Sequence, residues 1–362
     1  MKDRKAVARC RSRSAVRLAD LALLVRAPAA LSVPGDVIAG AVAAGRPLGA
    51  RTFGVIGSSV CLYWAGMALN DYADAAVDAV ERPDRPVPSG RVPRRAALAV
   101  AGGLTAAGLG LAAVAGGRRS VCAALPLAGL VWAYDLKLKS TAAGGFAMAG
   151  ARMLDVLAGA VVPGVGAASV GTALRRAAVP AVVVGAHTGT LMALSRYEIG
   201  GAPVRVPVRT LGVSVATAVA AAVPVAGSAI GSAAHGRRAA GAPSGLVAQF
   251  PAPLRDVAGA ARFRGLRAAS SGSFRPASFK TLRAAVTAGA ALAYLGAYGA
   301  AQVRAVREPS ADNVQRAVGA GILGLMPLQA ALIARGGSPR VAAALGVVHP
   351  LARRLARRIS PT

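Results

Sequence analysis

Residues 96–134 read "AALAVAGGLTAAGLGLAAVAGGRRSVCAALPLAGLVWAY", two uncharged apolar runs separated only by Arg118, Arg119 and their glycine neighbours. A helix needs about 20 apolar residues to cross the ~30 Å hydrocarbon core of a bilayer. Lipid offers the backbone no hydrogen-bond partners, so such runs are expected to be helical. The stretch therefore predicts an all-α membrane protein with one helix at 96–117 and a shorter one at 120–134.

Apolar segments of the same kind recur along the whole chain. Five further windows carry no charge: 52–70, 177–195, 210–234, 284–303 and 317–334. Two more, 21–45 and 141–163, are apolar but interrupted by charged residues. Together the nine segments predict a nine-helix transmembrane bundle.

The amino-acid composition is also typical of a membrane protein. The chain is 55% hydrophobic but only 4% aromatic, so small residues dominate, and these let helices approach closely in lipid. Its net charge of +29 is compatible with nucleic acid or with an anionic membrane surface. The sequence contains no nucleic-acid-binding module, and arginines commonly flank membrane segments. We therefore expect membrane lipids as partners and no nucleic acid.

Three regions follow from charge and hydropathy. Residues 1–17 form a basic N-terminus, residues 18–335 the transmembrane domain, and residues 336–362 a basic tail. A Gly-, Ala-, Ser- and Arg-rich insertion at about 235–279 interrupts the domain and is predicted to be flexible.

The charges also predict an orientation. A basic N-terminus favours the cytoplasmic side, which makes the chain a multi-pass protein of the cell membrane with the loops at 71–95 and 196–209 in the cytoplasm. Nine crossings then place the C-terminal tail outside the cell. Residues 351–360 read "LARRLARRIS", and such a basic segment favours the cytoplasmic side, so the tail conflicts with this orientation.

Scarce acidic residues gather at residues 70–90, "NDYADAAVDAVERPDRPVPSG". Asn70, Asp74 and Asp78 are spaced i, i+4, i+8, and Asp71 precedes Asp74 by three, so a helix carries all four on one face. Neighbouring carboxylates repel one another, and a hard cation would compensate. Mg²⁺ is typically held by one or two carboxylates together with substrate phosphates. The spacing indicates a magnesium and diphosphate site.

Basic residues follow directly in "ERPDRP". Arg82 and Arg85 carry guanidinium groups, which bind phosphate oxygens in bidentate fashion, and the prolines stiffen the loop. The alternative is a solvated helix end with ordinary loop charges.

This stretch resembles the first aspartate-rich motif of the UbiA superfamily of intramembrane aromatic prenyltransferases, NDxxDxxxD followed by RPxRPxxSG. Residues 134–145, "YDLKLKSTAAGG", are similar to its YxxxLKxxxxxG segment. The resemblance extends over roughly 18–335 outside the insertion. It implies a nine-helix bundle whose central cavity opens toward the membrane and binds a polyprenyl diphosphate.

The resemblance also implies residue roles. Asp71, Asp74 and Asp78 would hold Mg²⁺, and Asn70 would contact the diphosphate with them. Phosphate oxygens would be bound by Arg82 and Lys139, with Tyr134 close by. Apart from the resemblance, Asp135 directly follows Tyr134 and, as an acid within an apolar segment, is a candidate to assist the metal or the acceptor. After diphosphate loss, an unknown acceptor would attack C1 of the allylic cation.

The second aspartate-rich motif of that superfamily is altered here. Its place reads "HTGTLMALSRYEIGGAP", residues 187–203, with Glu198 as the one acid. Either Glu198 holds a second Mg²⁺ alone, or Arg196 replaces that metal as a phosphate-binding cation. The "SRYE" form is similar to an EboC-like bacterial branch, for which the resemblance implies no acceptor.

Other polar residues within apolar segments leave alternatives open. Arg152 and Asp155, at i and i+3, are either a self-neutralising pair or part of the cavity. A lone histidine such as His187 is more often a packing residue than a catalyst. A membrane transporter or binding protein with a degenerate site of this kind is the alternative to an enzyme.

Overall fold

The computed structural model describes residues 16–164, 166–223 and 279–346. The regular secondary structure of these residues is helical, with no strand among them. The prediction of an all-α fold is confirmed. Most of the predicted insertion, the first fifteen residues and the end of the basic tail lie outside the described residues.

Eleven α-helices have both ends within the described residues, and a further helical run at 339–346 reaches the limit of the described range. They are α1 (Leu18–Leu24), α2 (Val33–Ala43), α3 (Ala50–Ala73), α4 (Ala75–Glu81), α5 (Arg94–Ala133), α6 (Gly144–Ala160), α7 (Val170–Ser195), α8 (Arg205–Ala222), α9 (Phe279–Tyr294), α10 (Ala300–Arg307) and α11 (Ala311–Arg335). A 3₁₀ turn at Ala27–Ser32 precedes α2, and π-helical turns at Tyr134–Leu138 and Leu295–Gly299 follow α5 and α9.

Five helical segments among the described residues are long and apolar enough to cross a membrane. They are α3, α5 with its π-helical turn, α7, α9 continuing through α10, and α11; the 45-residue segment of α5 is long enough for two crossings. The segment predicted at 21–45 is divided into three short pieces, and that at 210–234 is only partly described. The count of nine crossings therefore stays a prediction. Helix α8 begins at Arg205, so the predicted loop at 196–209 is shorter than expected.

Helix α5 reverses direction at Gly117, which adopts φ 60° and ψ −149°. This backbone region is open to glycine because it has no Cβ. The indole Nε1 of Trp132 donates a hydrogen bond to Thr105 Oγ1 at 3.0 Å, which pairs the two halves side by side. Residues 94–116 and 118–133 are thus two antiparallel helices, as the two apolar runs predicted.

Close helix packing depends on glycine where α2 crosses α6. A Cβ added to Gly40 would lie 1.7 Å from the carbonyl oxygen of Val156, and one added to Gly159 would lie 2.0 Å from that of Val37. Each helix therefore packs directly on the backbone of the other. Such contacts are typical of membrane helices, whose association relies on close packing.

The bundle has two polar ends. At the motif face, defined by residues 70–93, 139–143, 196–204 and 308–310, Arg196 donates to the Thr141 carbonyl at 3.3 Å and the Ala202 amide donates to the Pro309 carbonyl at 3.0 Å. At the opposite face, defined by residues 44–51, 116–119, 161–176, 279–283 and 335–340, Arg46 donates to the Ala160 carbonyl at 2.8 Å.

Between these faces the bundle exposes large apolar side chains. Val114 is 89% exposed, Phe146 82% and Leu292 68%. Exposing this apolar surface to water costs free energy, whereas contact with lipid tails does not. The protein is an integral membrane protein.

Candidate functional site

The predicted metal-binding face forms at the junction of α3 and α4. Asp74 interrupts the helix with φ −87° and ψ 6°, yet its amide still donates to the Asn70 carbonyl at 2.9 Å. The Asp78 amide in turn donates to the Asp74 carbonyl at 2.8 Å. Hydrogen bonding thus carries the helical path across the break. The structure brings these residues and Asp71 onto successive turns, as predicted.

Each of the three aspartates has a basic partner. Arg26 Nη2 lies 2.9 Å from Asp71 Oδ1, and Lys139 Nζ lies 2.5 Å from Asp74 Oδ1. The third partner is Arg85, whose Nη1 lies 2.7 Å from Asp78 Oδ2 and 3.7 Å from Asp71 Oδ1. The expected repulsion between carboxylates is therefore offset by positive charges within the site.

Arg26 is the site residue that the sequence analysis missed. It lies between α1 and the 3₁₀ turn, with a left-handed backbone (φ 45°), and its guanidinium also contacts the sulfur of Met67 at 3.3 Å. An arginine interrupting an apolar segment was an available signal, because charges at membrane depth usually have a function. Its partner Asp71 is 45 residues away in sequence, and only the fold shows that contact.

The second predicted segment meets the first through a π-helical turn. Asp135 is buried in this turn, and its Oδ1 accepts a hydrogen bond from Asn70 Nδ2 at 3.3 Å. Insertions of this kind are frequent at functional sites. The structure thus places Asp135 and Lys139 beside the aspartates, while Tyr134 lines the cavity below them.

A cavity of about 210 Å³ extends from this polar cluster into the bundle. Its polar end includes Arg26, Asn70 and Asp135. The remaining wall is apolar or aromatic and includes Tyr63, Met67, Leu130, Val131, Met148 and Ala151. The arrangement suits a ligand with a charged head and an apolar body.

The altered second motif lies at the motif face but contacts other groups. The guanidinium of Arg196 donates to the Thr141 and Ala142 carbonyls, both at 3.3 Å, so it holds the loop that follows Lys139. Glu198 is half-buried, and burial raises the pKa of its carboxyl, while the positive charge of Arg82 lowers it. Arg82 is thus near enough to Glu198 to influence its carboxyl, and neither residue forms an ion pair within 4 Å among the described residues.

The aspartates suit magnesium by their chemistry. Within the part of the chain that the structure describes, no three His, Cys, Asp or Glu side chains converge into a preformed metal centre. Mg²⁺ commonly takes only one or two carboxylates and completes its shell with water and phosphate oxygens. The oxygen donors of Asp71, Asp74 and Asp78 fit that mode.

A second polar cluster is buried deeper in the bundle. Arg152 Nε lies 2.8 Å from Asp36 Oδ2, and Gln329 Nε2 donates to Asp36 Oδ1 at 2.7 Å. Asp155 is fully buried, and neither carboxylate oxygen has a hydrogen-bond partner of normal geometry among the described residues, although Ser59 is close. Of the two alternatives left open for Arg152 and Asp155, the ion pair within the helix does not form, and Asp36 from another helix lies against the guanidinium instead.

His187 lies in an aromatic cluster of the other half of the bundle. Its Nδ1 lies 3.0 Å from the Tyr294 hydroxyl, and its ring packs edge-on against Tyr294 and Tyr298 at centroid distances of 5.4 and 5.3 Å. The ring is fully buried. This geometry agrees with the interpretation of His187 as a packing residue.

These features define an integral membrane protein whose helical bundle encloses a cavity with carboxylates and basic residues at one end. The sequence profile of the UbiA prenyltransferase family matches residues 33–254, more than half of the chain, and the chain belongs to that family. The resemblance expected from the two motifs is confirmed.

Relatives of known name match shorter stretches. A digeranylgeranylglyceryl phosphate synthase of Methanopyrus kandleri is 45% identical over 109 residues, which is 30% of this chain and 38% of that protein. The protein of that name from Methanoregula boonei is 47% identical over 79 residues, 21% of this chain and 27% of its own. The matches therefore span well under half of these relatives.

Two solved structures share the fold over most of the chain. A digeranylgeranylglyceryl phosphate synthase structure superimposes with a TM-score of 0.54 at 13% identity, covering 89% of this chain and 99% of the other. A UbiA homologue from Aeropyrum pernix K1 superimposes with a TM-score of 0.51 at 17% identity, covering 88% and 97%. At these identities the likeness concerns the fold alone.

Proposed function

We propose that this protein transfers a polyprenyl group from its diphosphate to an acceptor within the membrane. The observation that carries the proposal is the alternation of three aspartates with three basic side chains at the polar end of an apolar cavity. A diphosphate needs both kinds of group, since basic residues bind its oxygens and carboxylates bind the accompanying cation.

The chain's own residues divide this work by position. Arg26, Arg85 and Lys139 already lie among the aspartates and would turn their N–H groups to the diphosphate oxygens. Mg²⁺ bound at the carboxylates would add positive charge where the leaving group becomes more negative. Charge stabilisation of this kind is usually the largest contribution to catalysis.

The apolar part of the cavity would protect the prenyl cation that forms when the bond to the diphosphate breaks. Loss of diphosphate leaves an allylic cation at C1 of the prenyl chain, which water would capture. Leu130, Val131 and Met148 line the wall and exclude water from it. The acceptor nucleophile then bonds to C1 and releases its proton.

The names of the relatives suggest which substrates to test first. Their product carries two geranylgeranyl groups on glyceryl phosphate, so geranylgeranyl diphosphate is the first donor and geranylgeranylglyceryl phosphate the first acceptor. A cavity of about 210 Å³ is smaller than typical ligand pockets, so a long prenyl chain would extend beyond it into the lipid.

The test is prenyl transfer by the full-length protein in nanodiscs with radiolabelled geranylgeranyl diphosphate, with and without Mg²⁺. Asp74→Ala should lower turnover by roughly two orders of magnitude or more, because it removes a metal ligand and the partner of Lys139. Asp84→Ala, which alters an exposed acid of the same loop, is the matched control and should stay within about twofold. Full activity in a folded Asp74→Ala variant would contradict the site.

A non-enzymatic membrane protein that binds or transports a diphosphate lipid is the second candidate. The loss of all but Glu198 from the second motif favours it. Tight, Mg²⁺-dependent binding of geranylgeranyl diphosphate without any prenylated product, across a panel of lipid extracts as acceptors, would support this candidate over the enzyme.

A further inference from the structure

The opposite face of the bundle carries a groove of about 420 Å³ between the second half of α5, α6 and α7. Arg118 and Arg119 form its polar rim, directly after the reversal at Gly117, and both side chains are exposed. Beyond them the groove is lined by apolar residues, including Cys122, Leu154 and Leu174. A charged rim is thus continuous with an apolar channel.

Acidic residues are distributed very unevenly in the described part of the chain. They lie at the motif face or next to it, except for Asp36 and Asp155 in the bundle interior, and none of those described lies at the opposite face. The rim arginines therefore have no ion-pair partner among the described residues. This face attracts anions that the described part of the chain does not supply.

Neighbouring positive charges strengthen that attraction. Burial lowers the pKa of Arg46, and the positive charges of Arg119 and Arg176 lower it further, so these guanidinium groups are close enough to repel one another. Arg46 already donates to two carbonyls, at Ala160 and Ala168. The exposed Arg118 and Arg119 are left to bind an external anion.

We propose that this groove binds an anionic phospholipid of the membrane, with its phosphate on Arg118 and Arg119 and an acyl chain along the apolar channel. Guanidinium groups bind phosphate in a bidentate manner, and the channel removes the chain from water. A soluble phosphate compound would leave the apolar channel uncovered. A zwitterionic lipid would bring no net charge to a face rich in arginine.

This site is independent of the proposed catalysis. Arg118 and the cavity residue Val131 stand at opposite ends of one helix, about 20 Å apart at 1.5 Å per residue. Lipid binding would leave the motif face unobstructed. It can therefore be measured whether or not prenyl transfer is detected.

The test is native mass spectrometry of the purified full-length protein titrated with dioleoyl phosphatidylglycerol or dioleoyl phosphatidylcholine. Each arginine near a membrane surface contributes about a fivefold change in affinity, so Arg118→Gln with Arg119→Gln should weaken phosphatidylglycerol binding about twenty-five-fold. The control pair Arg51→Gln with Arg340→Gln removes the same charge from the same face away from the groove, and should change binding less than twofold.

Cys122→Trp tests the apolar channel separately. Cys122 is exposed in the groove, so the indole should fill the channel without entering the core and should weaken phosphatidylglycerol binding with both arginines intact. Three outcomes would overturn the proposal: equal loss in the control pair, equal affinity for phosphatidylcholine, or complete displacement by glycerol 1-phosphate at the lipid's own concentration.

Discussion

Two buried aspartates in the bundle interior should respond in opposite ways to the same substitution. Asp36 lies 2.8 Å from Arg152 and accepts from Gln329, whereas Asp155 has no hydrogen bond of normal geometry among the described residues, although Ser59 is close. Both are fully buried. Asp36→Asn and Asp155→Asn are nearly isosteric, so their effects report charge rather than volume.

The expected magnitudes follow from the pairing. Removing one partner of a buried ion pair costs about 3–5 kcal/mol, because the other charge is left uncompensated. The asparagine oxygen at position 36 can still accept from Gln329, so we expect about 3 kcal/mol for Asp36→Asn. With both carboxylates ionised the cluster has one negative charge in excess. Asp155→Asn removes that excess and should leave stability unchanged or raise it by ~1–2 kcal/mol.

The assay is unfolding of detergent-solubilised protein by increasing SDS, followed by the fluorescence of Trp64 and Trp132. Glu308→Gln, at an exposed position of the motif face, is the control and should shift stability by less than about 0.5 kcal/mol. A larger loss for Asp155→Asn than for Asp36→Asn would refute the reasoning. It would mean that Arg152 pairs within its own helix, as the i, i+3 spacing allowed.

Two further predictions concern packing and the site. Gly40→Val should destabilise the protein by ~3 kcal/mol or more, because its Cβ would overlap the Val156 carbonyl. Gly110→Val, on an open helix surface, is the control and should be tolerated. The yield of folded protein after purification distinguishes the two variants. Arg26→Gln should raise KM for the prenyl diphosphate roughly tenfold, because it removes one charge-assisted contact. Arg17→Gln, at an exposed position, is the control and should leave KM unchanged. If Arg26→Gln also left KM unchanged, Arg26 would not belong to the site.

The aspartate-rich site was predictable because its members are close in sequence. Helical periodicity alone places Asn70, Asp74 and Asp78 on one face, and a structural break at Asp74 changes this only slightly, since the hydrogen bonds run on across it. The ion pair between Lys139 and Asp74 joins the two motifs that the sequence analysis identified separately. Motif spacing constrains such local geometry directly.

Arg196 shows what that approach leaves open. Its position in the altered second motif suggested a phosphate-binding cation as one of two alternatives, and this stays a prediction; in the structure its guanidinium donates to the carbonyls of Thr141 and Ala142. A residue's place in the chain predicts which end of the bundle it occupies. It does not predict which of several polar groups at that end its flexible side chain will contact.

The sequence by itself determined that this chain is a helical membrane protein with its acids collected at one end, because lipid excludes charge and leaves the backbone no partner but itself. It also predicted a reversal between two apolar runs, and the structure places that reversal at Gly117. Only the tertiary structure decided that Arg26 meets Asp71, that Asp36 displaces Asp155 from Arg152, and that Arg118 and Arg119 border an apolar groove. These contacts join helices far apart in sequence, and their partners depend on how helix surfaces pack, which no local spacing encodes.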